Sequence, residues 1–158
     1  MKPLILLTGK NGQLGGELLN LLSQVGEVVA VGHDQLDLSS PFDIRRKVRE
    51  VRPQLIVNAA AYTAVDQAET DERAAQAVNA QAPGLLAEEA KKIGAALIHY
   101  STDYVFDGTK KTPYDEMDSA NPINVYGKTK LWPLLPLRRA RILVVAAARS
   151  EAQVGAPI

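Results

Sequence analysis

Tyr126 and Lys130 stand four residues apart in the run Tyr126-Gly127-Lys128-Thr129-Lys130. On a helix, positions i and i+4 share one face, so the phenol and the ammonium would lie side by side. A phenol titrates near ~10 and is a poor acid–base group at neutral pH. A neighbouring ammonium stabilises the phenolate and lowers that value. Such a pair can give a proton to a carbonyl oxygen whose carbon receives hydride. The spacing alone equally fits a surface tyrosine among solvated lysines, so its meaning depends on whether the chain can also hold a hydride donor.

A second segment addresses that. Thr8-Gly9-Lys10-Asn11-Gly12-Gln13-Leu14-Gly15 carries glycines in the spacing GxxGxxG. An apolar run at 4–7 precedes it, and Leu14, Leu18, Leu21, Leu22 and Val25 follow at helical spacing. Between a strand and a helix, such a turn offers free backbone N–H groups and a positive helix end to a dinucleotide pyrophosphate. Gly9 is expected to make the tight turn, Gly12 to let the backbone approach phosphate, and Gly15 to let the helix lie close to the sheet. An acidic residue about 20 residues further on commonly binds the adenosine ribose. Asp34 and Asp37 both lie there, and either would favour NADH by repelling a 2′-phosphate. Lys10 would pair with that phosphate, so these residues leave NADPH and NADH both open. Ser101-Thr102-Asp103 follows another apolar run, and a hydroxyl there could hold a substrate carbonyl oxygen while Tyr126 protonates it.

The elements that must position these groups are read from apolar spacing. Residues 4–7, 28–31, 55–57 and 96–100 are short apolar runs without polar alternation, as in strands buried on both faces. Gln13–Val25 reads as a helix. Ser40-Pro41 supplies an N-cap and a first-turn proline to a helix burying Ile44, Val48 and Val51. Asp71 caps an alanine-rich helical region running to about Ile93, interrupted near Pro83. Residues 101–124 read as mostly loop, and Val125–Leu131 as a helix. Strand and helix alternate with short connections, which predicts a doubly wound parallel α/β sheet. In such a sheet ligands bind beyond the carboxyl ends of the strands. Gly9, Asn58 to Ala61 and Ser101 to Asp103 all fall at such ends.

Composition narrows the function further. The 158 residues carry 18 basic and 18 acidic side chains and no cysteine. Balanced charge argues against a nucleic-acid binder. Without cysteine there are no disulfides, thiolate zinc sites or cysteine nucleophiles. With only His33 and His99, a multi-histidine metal site is excluded. No apolar run approaches the roughly 18–20 residues of a membrane helix, and Lys2 with its short apolar run lacks a signal-peptide pattern. A cytoplasmic protein is expected.

Four stretches together resemble the N-terminal half of the dTDP-4-dehydrorhamnose reductases, which are extended short-chain dehydrogenase/reductases. They are the glycine turn, NAAAYTAVDQAE from Asn58 to Glu69, YSTDYVFDG from Tyr100 to Gly108, and NPINVYGKTK from Asn121 to Lys130. The resemblance implies a Rossmann-type fold and a catalytic triad of Thr102, Tyr126 and Lys130. It implies cofactor contacts at Gly12, Gln13 and Leu14, at Asp37 and Leu38 near adenine, and at Ala61, Tyr62, Thr63 and Tyr100 along the groove. Thr102 and Asp103 would touch the sugar nucleotide, and Lys130 would also hold the nicotinamide ribose. The implied reaction is NADPH- or NADH-dependent reduction of the 4-keto group of dTDP-4-dehydro-6-deoxy-L-mannose to dTDP-L-rhamnose. Relatives often pair as homodimers.

The resemblance stops near Leu131. Residues 1–131 hold 14 basic and 17 acidic side chains; residues 132–158 hold four arginines against Glu151 and no lysine. The family normally continues the helix with a polar segment, but here Trp132-Pro133-Leu134-Leu135-Pro136 follows, and an interior proline costs a helix about 3 kcal/mol. Residues 1–131 are therefore read as the NAD(P)-binding domain. Residues 132–158 are read as a divergent, poorly ordered tail with the composition of a shifted reading frame. The substrate-binding lobe is read as largely missing and turnover as impaired. The alternative is a non-catalytic NAD(P)-binding or regulatory subunit on the same fold.

Overall fold

The computed structural model describes residues 2–115, 117–131 and 142–147. Among them, five strands form one sheet in the order β2-β1-β3-β4-β5, every pair parallel. They are β1 (Leu4–Thr8), β2 (Glu27–Val31), β3 (Leu55–Asn58), β4 (Ala96–Thr102) and β5 (Ile142–Ala147). The chain steps from β1 to one side to make β2, then to the other side to make β3. The crevice of a doubly wound sheet opens at such a reversal, beyond the strand ends.

Side chains alternate along each strand, so both faces need cover. On one face Ile5, Leu7 and Val57 pack under Leu18, Leu19 and Leu22 of α1 (Gln13–Val25). On the other, Leu6, Ile56 and Leu97 join Ile44 and Val48 of α2 (Pro41–Val51) and Leu86 and Ala90 of α5 (Ala82–Ile93). The α2 start is as expected. The Ser40 hydroxyl accepts the Asp43 N–H at 3.3 Å, and Pro41 fills the first turn. Val51 is only half-buried, at the frayed end of the apolar stripe.

The alanine-rich region does not break at Pro83. Two short helices, α3 (Val65–Ala68) and α4 (Glu72–Gln76), follow β3, and α4 is capped by Asp71. From α4 the chain passes through a π-helical turn, Ala77–Gln81, directly into α5. Pro83 has no N–H to give the carbonyl four residues back, that of Asn79. The widened turn lies over that carbonyl, so the interruption is a change of helical pitch rather than an end. The helix stops at Gly94, which takes the left-handed conformation (φ 73°).

Two further differences concern the strands. β4 runs two residues past Tyr100 because Ser101 and Thr102 pair with Ala146 and Ala147 of β5, so both are strand rather than loop. β5 itself comes from the segment set apart by composition. Residues 132–141 and 148–158, with Pro133 and Pro136, lie outside the described residues. The short helix α6 (Val125–Leu131) has the expected bounds. No helix among the described residues is long and apolar enough to cross a membrane.

The pair α2–α5 carries an ion cluster. Glu89 is 1% exposed, shielded by long cationic side chains laid over it. Arg49 donates to both its oxygens, at 2.8 and 3.2 Å, and Lys92 to one at 2.6 Å. These hydrogen bonds hold the carboxyl down at about 2. Its folded value lies below the usual carboxylate range, so the stabilisation is complete above about pH 4.5 and disappears as pH falls towards 2. The partners are largely solvent-exposed and screened, which keeps the expected effect small. In urea unfolding, Glu89→Gln should lower stability by about 1–2 kcal/mol at pH 7. The gap between variant and wild type should close as pH is lowered through that window; a gap independent of pH would contradict the ion cluster's role.

Candidate active site

A groove of about 960 Å³ runs across the carboxyl ends of β1, β2, β3 and β4. The glycine turn forms one wall. Gly9 has φ 79°, and a Cβ there would stand 2.7 Å from the Ala60 nitrogen. It therefore makes the tight turn and also admits the strand β3 exit beside it. A Cβ on Gly15 would stand 2.0 Å from the Gly9 carbonyl oxygen. The third glycine thus lets the helix close on the turn itself rather than on the sheet. Gly12 is the N-cap of α1, with no side-chain cap and no acidic residue in the first turn. Its helix end faces the groove with backbone N–H groups uncovered, a setting suited to an anion. Gly12, Gln13 and Leu14 all line the groove.

Asp37 and Leu38 line the far end. The Ser39 hydroxyl and N–H hold the Asp37 carboxylate at 2.7 and 2.8 Å and lower its pKa. Lys10 donates to the Gln35 side chain beside the same end. Ala61, Tyr62 and Thr63 line the opposite wall. The Tyr62 backbone is held by Asn79, which accepts its N–H at 2.8 Å and donates to its carbonyl at 3.0 Å. Asn79 also donates to the Thr129 hydroxyl at 3.2 Å, and Thr129 donates to the Tyr126 carbonyl at 2.8 Å. One buried amide thus ties the groove wall to α6. The sequence reading missed it; an asparagine inside an alanine-rich helix was the available signal.

The floor is a polar ladder across three strands. Thr8 donates to the Asn58 side-chain oxygen at 2.6 Å, and the Asn58 side-chain NH₂ donates to His99 Nδ1 at 3.1 Å. Burial, with Lys130's charge nearby, pushes His99 down to about 3, so it is neutral.

Tyr126 and Lys130 line the groove from α6, together with Tyr100 and Ser101 of β4. A Cβ on Gly127 would stand 2.1 Å from the Tyr104 carbonyl oxygen, so this glycine lets α6 press onto the turn at Asp103–Val105. The Tyr104 ring meets Tyr126 edge-on, at 5.4 Å and 81°. Thr102 and Gly15 are not on the groove surface; Thr102 reaches it through a hydrogen bond with Tyr126. The Thr102 hydroxyl also donates to Asp103 at 3.1 Å, which places Asp103 beside it.

One expectation is corrected here. Lys130 does not lower the Tyr126 phenol. Burial raises Tyr126 above its usual value, and only the hydrogen bond with Thr102 opposes this. The Lys130 ammonium is instead occupied with the Tyr100 carbonyl oxygen, at 2.5 Å. Burial brings Lys130 itself down to about 8. No cluster of three His, Cys, Asp or Glu residues that could hold a metal occurs among the described residues.

The arrangement has clear relatives. The dTDP-4-dehydrorhamnose reductase of Burkholderia thailandensis is 52% identical over 127 residues, which span 80% of this chain and 43% of that protein. That of Salmonella typhimurium is 49% identical over 131 residues, spanning 80% and 44%. The crystal structure of dTDP-4-dehydrorhamnose reductase from Bacillus anthracis in complex with NADP superposes with a TM-score of 0.87 at 34% identity, over 92% of this chain and 53% of that one. The chain therefore spans about half the length of the relatives it matches. The RmlD substrate binding domain model matches residues 1–133, and the chain belongs to that family.

Proposed function

We propose that the groove binds NADPH or NADH and that the chain serves reduction of the 4-keto group of dTDP-4-dehydro-6-deoxy-L-mannose to dTDP-L-rhamnose. The observation that carries this reading is that Tyr126 and Lys130 line the same groove as the glycine turn, with Thr102 hydrogen-bonded to Tyr126 from behind. The residues fit a dinucleotide: Gly9 and Gly15 let the turn close on neighbouring backbone that a Cβ would strike, and the α1 N-terminus at the groove has no side-chain cap. Gly12, Gln13 and Leu14 would hold the pyrophosphate, Asp37 and Leu38 the adenosine end, and Ala61, Tyr62, Thr63 and Tyr100 the length between. Asp37 favours NADH, while Lys10 at the same end suits the extra phosphate of NADPH. The relatives' names support the sugar nucleotide, and the NADP complex supports the cofactor.

A bound nicotinamide would supply a hydride to the carbonyl carbon. Tyr126 then gives its hydroxyl proton to the carbonyl oxygen, which turns the ketone into an alcohol. A phenol held high by burial stays protonated at neutral pH and is ready to donate. Thr102 steadies the phenol and, with Asp103, meets the sugar. Lys130 would hold the nicotinamide ribose, and its positive charge would favour the tyrosinate that remains.

Titration with NADPH, read by cofactor fluorescence, should saturate. Addition of the 4-keto sugar nucleotide should then cause NADPH oxidation. Saturation without oxidation would favour the non-catalytic reading; absence of both would overturn the proposal. Tyr126→Phe should bind NADPH within about threefold of wild type and lose about 10²–10⁴-fold in oxidation rate. Gly15→Ala must displace the Gly9 carbonyl, at a cost of about 1–3 kcal/mol, and should weaken NADPH binding at least about tenfold while Tyr126→Phe does not. Equal binding by the Gly15→Ala chain would place the cofactor elsewhere.

A further inference from the structure

Lys130 is under-provided. An ammonium has three donors. Lys130 is 3% exposed, and one of its donors goes to the Tyr100 carbonyl oxygen. The residues on either side of Tyr100 have the complementary defect. His99 Nε2 and Ser101 Oγ are buried and find no hydrogen-bond partner among the described residues, though both side chains are more than nine-tenths buried. Buried polar atoms left in this way are rare and call for an explanation.

Geometry brings the three together. Residues 99 and 101 are two apart on a strand, so their side chains leave the same face about 6.6 Å apart. Leu97 precedes them on that face and packs against α5. α6 packs against β4 and the π-helical turn. Lys130's charge reaches His99, and its Nζ sits on the carbonyl between His99 and Ser101.

The hydrogen-bond inventory then shows what is missing. The Ala60 N–H and the Thr8 hydroxyl both donate to the Asn58 side-chain oxygen. The other Asn58 terminus is therefore its NH₂ group, and it donates to His99 Nδ1. A neutral imidazole that accepts at Nδ1 carries its proton on Nε2. The site thus holds an N–H from His99, spare N–H groups from Lys130, and a Ser101 hydroxyl that can accept as well as donate. It holds more donors than acceptors. A water oxygen, with two lone pairs and two hydrogens, completes the set.

We propose that the Lys130 ammonium rests in a cradle on β4, made by the Tyr100 carbonyl and by a water seated between the Ser101 hydroxyl and His99 Nε2–H. His99 and Ser101 are then positioning residues for the lysine. The Thr8–Asn58–His99 ladder is what fixes the imidazole tautomer, so the cradle extends through three strands. Its consequence for reduction rests on the function proposed above, because it sets where the ammonium waits before it moves to the ribose. The cradle itself is a property of the free protein.

The test needs no cofactor. The Lys130 amine is followed by side-chain NMR titration, and the His99 tautomer by its ¹⁵N shifts, in the full chain. Ser101→Ala and His99→Phe each remove a group that seats the water beside the charged amine, and each should lower the Lys130 midpoint by about half a pH unit, a threefold loss of proton affinity. His99→Gln keeps an amide donor and should recover most of that loss. A high-resolution crystal structure should show an ordered water within hydrogen-bond distance of His99 Nε2. An unmoved midpoint in the folded Ser101→Ala chain would overturn the cradle, as would a proton on His99 Nδ1. These two readouts decide the matter even if His99→Phe does not fold. NADPH titration of the wild-type chain is read separately, so a failure to bind cofactor would sink the proposed function and leave the cradle standing or falling on its own data.

Discussion

Polar side chains buried at the ends of β1, β3 and β4 set the terms for the rest of the molecule. Thr8, Asn58 and His99 are each about 1% exposed, and each meets a partner on the adjacent strand. Burying a polar group without a partner is costly, so a slip of β3 would break both bonds and a slip of β1 or β4 would break one. The ladder therefore fixes the register in which Thr8 faces Asn58 and Asn58 faces His99. That register brings the glycine turn, the Asn58–Thr63 wall and the Tyr100–Thr102 segment to one edge. The groove follows from strand ends that cannot move relative to one another.

Close backbone approach does the remaining positioning. Gly15 admits the Gly9 carbonyl, and Gly127 admits the Tyr104 carbonyl. Glycine in a helix is about 1 kcal/mol less favourable than alanine, a cost that α6, only seven residues long, has few internal bonds to offset. Compensation comes from outside the helix. Glu69 accepts the Val125 N–H, Asn124 accepts the Gly127 N–H, and Asn79 reaches Thr129. The helix carrying Tyr126 and Lys130 is thus held chiefly by its neighbours.

What could be read from the sequence had a local cause. The apolar runs of the strands, the Ser40 cap and the spacing of Tyr126 and Lys130 depend on residues within one or two turns, and the bounds of α1 and α6 were legible for that reason. The glycine spacing showed where a phosphate would meet backbone, but not that Gly15 answers to the Gly9 carbonyl. Asn79, His99 and Gly127 were not singled out because their partners lie 17 to 50 residues away, or, for Gly127, on another element's backbone. The charge logic of the tyrosine–lysine pair failed for the same reason. Adjacency on a helix face is local, but the Tyr100 carbonyl that captures Lys130 belongs to another strand. Composition separated residues 132–158 from the rest, yet strand pairing joins β5 to the sheet all the same.

The strand order also governs how the chain is assembled. β1 is made before the other strands but ends inside the sheet, between β2 and β3. Its partners begin at Glu27 and Leu55, so no strand of this sheet can pair through a short hairpin. Pairing over such separations is slow, because the chain between must be ordered before the contact rewards it. During that interval Ile5, Leu6 and Leu7, almost wholly buried in the finished sheet, stand as an unpaired apolar edge. The segment that organises the groove is thus also the one most in need of protection from aggregation while the protein is made.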